Sequence, residues 1–197
     1  MAPIIKRRSF GDEFEDVTSY TITYKDVFSF NDFISVLYKW LTAAGYAKDE
    51  ENFREDYYLQ RESPRTGKQI QIWWRVQKMA DSRKMYRFDM DIDITVRGLQ
   101  ETEFMHEGKK ATIDKGELEV GIAARLIIDP DKHWQSSPLL KKYRSFIFDK
   151  WLKKKGEHRE QLEGDAIKLQ DFIKEHLRIS KNAPQHRSAL LRTRPPN

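Results

Sequence analysis

The stretch from Arg87 to Arg97 sets Arg87, Asp89, Asp91, Asp93, Thr95 and Arg97 on alternate positions, with Phe88, Met90, Ile92, Ile94 and Val96 between them. A strand repeats every two residues, so the three carboxylates would stand about 7 Å apart in succession on one face. Two such groups can bridge a divalent cation through oxygen ligands. Glu117 and Glu119 form a similar pair further along. The competing account is structural: acids on the solvated face of an amphipathic sheet pair with arginines across the strands. A hairpin symmetric about Ser82 would set Arg75 opposite Asp89 and Arg87 opposite Gln77. We expect the structural account, with metal ligation by Asp89, Asp91, Asp93, Glu117 and Glu119 as the alternative. Trp73 shares this polar face with Arg75, because Trp74 takes the inward position. A Trp beside Arg and Gln suits stacking of a nucleobase or capture of a partner side chain, and it equally suits packing under a helix or the N-terminal segment.

Other chemistries lose their usual signatures. His106, His133, His158, His176 and His186 include no helical metal pair, and the chain has no Cys, so thiolate zinc, iron–sulfur clusters, disulfides and a Cys nucleophile are excluded. Gly67 and Lys68 lack the upstream Gly and the following Ser or Thr of a phosphate loop, and the nine glycines spell no dinucleotide fingerprint. No nucleophile elbow is present. No catalytic residue and no cofactor are expected. Alternating acids and arginines on antiparallel strands are similar to the inner wall of the triphosphate tunnel (CYTH) enzymes, whose acids hold metal and whose basic residues grip phosphate. That family's Glu-x-Glu-x-Lys pattern reads here as Glu117 and Glu119 followed by Gly121 in place of the Lys. The resemblance implies a divalent-metal-dependent phosphohydrolase.

These residues need a sheet to position them, and the sequence writes one. Thr18 to Val27 is rich in β-branched and aromatic residues and predicts a first strand. Ser29, with Asp32 three positions on, predicts a helix start, and Phe30, Phe33, Leu37, Trp40, Leu41 and Ala44 carry the helical period up to Gly45. Phe53 to Arg61 is a second strand, ended by a turn from Ser63 to Gly67. Gln69 to Met79 and Met85 to Arg97 alternate strictly and form a hairpin. Thr102 to His106 reads as a short edge strand, turned at Glu107 to Lys110. Glu117 to Ile128 alternates again until Asp129 and Pro130 stop it. Ser137 and Pro138 open a helix to about residue 154, Gly156 breaks it, and Glu157 to Arg178 forms a last helix with Leu162, Ala166, Leu169, Ile173 and Leu177 on one face. The fold expected is α+β: a twisted antiparallel sheet of about five strands, with one N-terminal and two C-terminal helices on its apolar face. The element order resembles the helix-grip domains of the START type, which implies a carrier of an apolar ligand as a further alternative.

Composition bounds the rest. With 197 residues, 39% hydrophobic and 12% aromatic, the chain can bury one core. We divide it into an extension at 1–16, a single domain at 17–179 and a basic tail at 180–197. Its net charge of +5 comes from 36 basic and 31 acidic residues. Residues 1–10 hold Lys6, Arg7 and Arg8, and residues 180–197 hold Lys181, Arg187, Arg192 and Arg194, with no acid in either stretch. Taking these seven away leaves 29 bases against 31 acids, a body of net charge −2. The sequence pI near 9.2 thus reflects the ends, which would neutralise phosphates or an acidic partner. No apolar run approaches a membrane span, and the first residues lack the apolar core of a signal peptide. The expectation is a cytoplasmic, non-enzymatic binding or assembly module whose partner is a protein assembly or RNA. Its contacts would be Trp73, Arg75 and the basic ends.

Overall fold

The N-terminal strand pairs with the last strand, so one edge of the sheet is formed by joining the two strands most distant in sequence. The structure is a computed structural model describing residues 13–48, 53–65, 67–80, 85–106, 109–130 and 144–178. At residues 13, 103–106, 109–113 and 144–153 it describes the backbone alone. The elements are β1 (Glu13–Phe28), α1 (Phe30–Ala43), β2 (Phe53–Ser63), β3 (Gly67–Met79), β4 (Tyr86–His106), β5 (Lys109–Ile128) and α2 (Arg144–His176). The five strands form an antiparallel sheet in the order β1-β5-β4-β3-β2. The chain must therefore cross from one edge to the other between β1 and β2. Helix α1 makes that crossing: its 14 residues span about 21 Å, which matches four interstrand steps of about 4.8 Å.

Strand alternation decides which side is buried. Ile72, Trp74 and Val76 on β3, Phe88, Met90, Ile92 and Ile94 on β4, and Leu118, Val120, Ile122 and Leu126 on β5 all face inward and are buried. Register stacks them: Trp74 lies opposite Ile92, and Ile92 opposite Ile122. Helix α1 adds Phe33, Leu37 and Leu41, and α2 adds Leu162, Ala166, Leu169, Ile173 and Leu177. The stripe that the sequence assigns to the last helix is thus core. Ser29 caps α1, its hydroxyl accepting from the Asp32 amide at 3.3 Å. Gly45 at φ +84° ends the turn. Glu15 ties α2 to β1 through Lys155 at 2.8 Å and Arg159 at 3.3 Å, and Trp40 meets Phe172 between the two helices.

Four expectations are corrected. Thr102 to His106 is no separate edge strand but the far end of β4, paired with β5 out to Lys109. A bulge at Gly98, φ +65°, shifts register between Arg97 and Gln100 and lets the strand bend without ending. The β3–β4 hairpin is centred one residue further along, so Arg75 faces Asp91 and Gln77 faces Asp89; the predicted faces survive because opposed partners move by two. Gly156 does not break the chain, since α2 runs through it, at the modest cost of an exposed helical Gly. The described residues accordingly hold one C-terminal helix. The proposed helix start at Ser137 and Pro138 lies outside the described residues. No helix among the described residues is long and apolar enough to cross a membrane.

Candidate binding surface on the outer sheet face

The face turned away from the helices carries an interlocked set of acids and arginines. Arg75 on β3 reaches Asp93 at 2.7 Å, Asp91 at 3.5 Å and Asp56 at 3.9 Å. Arg125 on β5 donates to Asp91 and, at 2.8 Å, to Asp16. Arg87 grips Asp89 with two bonds of 2.6 and 3.0 Å. Arg97 holds Glu119 at 2.8 Å and Glu117 at 3.4 Å. These acids are not a freely solvated face: the side chains of Asp89, Asp91 and Asp93 are 14%, 17% and 25% exposed, and that of Arg87 only 5%. Burial pushes the Asp93 carboxyl above its ordinary value, against the opposing pull of Arg75.

The five residues of the metal alternative are therefore each in contact with a guanidinium. A cation would have to displace Arg75, Arg87, Arg97 or Arg125 from carboxylates whose lone pairs they occupy. Among the described residues no three His, Asp or Glu groups converge as metal ligands would.

Of the predicted contact residues, Trp73 and Arg75 lie on this face, but both are engaged within it. The Trp73 ring stacks on Tyr57 with centroids 4.5 Å apart, and the Arg75 guanidinium lies 5.9 Å from the Trp73 centroid. Lys6, Arg7, Arg8, Arg187, Arg192 and Arg194 lie outside the described residues.

Beside this cluster the sheet forms a groove of about 260 Å³, lined by Tyr57, Leu59, Arg61, Gln69, Gln71 and Arg97 with Thr95 and Val96. A bulge in β2 makes it. Glu55 pairs with Trp74 and Tyr57 with Trp73, so Asp56 is an extra residue. Strict alternation from Phe53 would have put Tyr57 on the inner side; the bulge reverses the faces, and Tyr57, Leu59 and Arg61 turn outward. Across from them, Gln71 pairs with Leu59 and Gln69 with Arg61. Sequence reading set Thr95 and Arg97 on this face but singled out none of Tyr57, Leu59, Arg61, Gln69 and Gln71 as contacts, for which the local excess of Tyr and Gln in 57–71 was the signal available.

Comparison with family models, curated proteins and solved structures finds no match to this chain.

The groove combines an aromatic ring, an aliphatic floor, two amides and two guanidiniums. It can stack, donate and accept, and it can neutralise a negative charge. It offers no nucleophile–base pair of the kind a hydrolase needs.

Proposed function

We propose that this protein is a non-enzymatic binding module that recognises its partner on the outer face of the sheet, with the basic ends adding a salt-sensitive attraction. The observation that supports it best is the groove of Tyr57, Arg61, Gln69 and Gln71. Among the described residues, the side chains of Arg61, Gln69 and Gln71 make no hydrogen bond or ion pair, while Asp89, Asp93 and Glu119 of the neighbouring lattice are engaged. Polar head groups held on a rigid sheet without internal partners are available to an outside one. The acid and arginine lattice supplies that rigidity. A phosphohydrolase would need those same acids free for metal, and a carrier would need space in the apolar layer. That layer is occupied by Phe33, Tyr46, Phe88 and Leu162, which are all nearly or fully inaccessible, and the groove lies on the other face.

The test is to isolate the full chain at low salt with whatever accompanies it, and to repeat this with Arg61→Glu. The reading expects a companion that is reduced by the substitution and released by salt. A companion retained at full level places recognition elsewhere. Turnover of a nucleoside triphosphate with Mg²⁺ or Mn²⁺, lost in Asp91→Asn, would overturn the non-enzymatic reading outright.

A further inference from the structure

Resting on that reading, we infer that the outer-face groove takes an unpaired nucleotide of a single-stranded nucleic acid, its base stacked on Tyr57 and its phosphate at Arg61. The volume, about 260 Å³, is at the small end for a ligand site and suits one ring system, not an extended molecule. Tyr57 lines the groove and is backed by Trp73 at 4.5 Å, so its ring is fixed in advance and a base loses little entropy by stacking there. Gln69 and Gln71 follow on the same face of β3, about 7 Å apart. Each amide carries a donor and an acceptor together, the combination that base edges present.

The phosphate contact is Arg61 and not Arg97. Arg97 already serves Glu119 and Glu117, whereas Arg61 is exposed and has no ion pair among the described residues. An acidic peptide would use Arg61 but would leave the ring and both amides without a role. A duplex keeps its bases stacked inside and could not place one in the groove, so the strand must be single.

The experiment titrates the full chain with fluorescently labelled ten-nucleotide single strands, ribose and deoxyribose versions in parallel, over a salt series. Parent binding is expected, with Tyr57→Ala weakening it roughly five- to hundredfold, the worth of one base–aromatic stack. Tyr57→Phe keeps the ring and should bind within about twofold of the parent. Arg61→Gln should reduce the slope of log K against log salt by about 0.7. Arg61 and Gln71 are exposed, so Arg61→Gln and Gln71→Ala decide the matter even if Tyr57→Ala fails to fold. A ribose preference would assign the strand to RNA, and equal affinity would assign it to single strands of either sugar; both support the inference. Binding unchanged by Tyr57→Ala, Arg61→Gln and Gln71→Ala overturns it, while leaving a module that binds through its ends. Absence of binding by either strand at low salt also overturns it, and a protein partner then takes its place. The underlying reading fails by a different sign, a companion indifferent to Arg61→Glu.

Discussion

Tyr46 is fully inaccessible, yet its hydroxyl donates to Asp165 at 3.0 Å, and Lys78 bridges Asp165 at 3.6 Å to the Ala44 carbonyl at 3.0 Å. This polar knot joins the end of α1, the end of β3 and the middle of α2. Tyr46→Phe removes one bond to a charged acceptor and should cost about 1.5–3 kcal/mol in chemical denaturation. Burial, with Asp165 adding to it, holds the phenol above its ordinary range. The stability it contributes is therefore present below pH of about 10 and is lost as pH rises beyond the unfolded value. Tyr46→Phe should lose that alkaline decline in a melting series. Asp93 behaves alike in acid. With its carboxyl raised by burial, the folded chain keeps a proton that the unfolded chain has released, so stability falls as pH climbs from about 4 through the raised value. Asp93→Asn should flatten that limb. Asp91, shared by Arg75 and Arg125, is different: Asp91→Asn removes a charged acceptor but leaves Arg75 on Asp93 and Arg125 on Asp16, and should cost about 1.5–3 kcal/mol, less than the loss of a sole partner. The sequence shows that these acids alternate and that arginines lie nearby, but their depth depends on neighbours that alternation does not describe.

At the scale of elements, hydrophobic period and end signals were legible where packing follows them. The Ser29 cap, the Gly45 stop and the Leu162 to Leu177 stripe are local patterns, and each is found in its expected role. Gly156 misled because a single Gly costs a helix interior only about 1 kcal/mol, too little by itself to end it. At Gly156 and Gly164 an added methyl would meet nothing within 4 Å. Gly156→Ala and Gly164→Ala should each stabilise the fold by about 0.5–1 kcal/mol, read by denaturant midpoint. No gain at Gly156 would mean that two helices meet there after all. The β2 bulge was illegible for a different reason. It depends on which residue of β3 each β2 residue opposes, so the outward turn of Tyr57, Leu59 and Arg61 follows from pairing and not from composition.

For the whole molecule, charge and shape divide the work. The body of net charge −2 builds a sheet whose outer-face lattice of acids is matched by Arg75, Arg87, Arg97 and Arg125, while the terminal stretches carry seven bases and no acid. Attraction to a polyanion by the ends alone should show a slope no steeper than about −6 in log K against log salt on duplex DNA. Changing all seven to Gln in the full chain should remove most of that slope without lowering the melting temperature. Discrimination between partners should survive the change, because it belongs to the sheet. The most direct measurement of that claim is amide chemical-shift mapping on the full chain as the material that accompanies it in isolation is added back. The account predicts shifts centred on Tyr57, Leu59, Arg61, Gln69, Gln71 and Thr95, and quiet amides along α1 and α2. Shifts confined to the helices, or to the basic ends with the outer face unmoved, would contradict it.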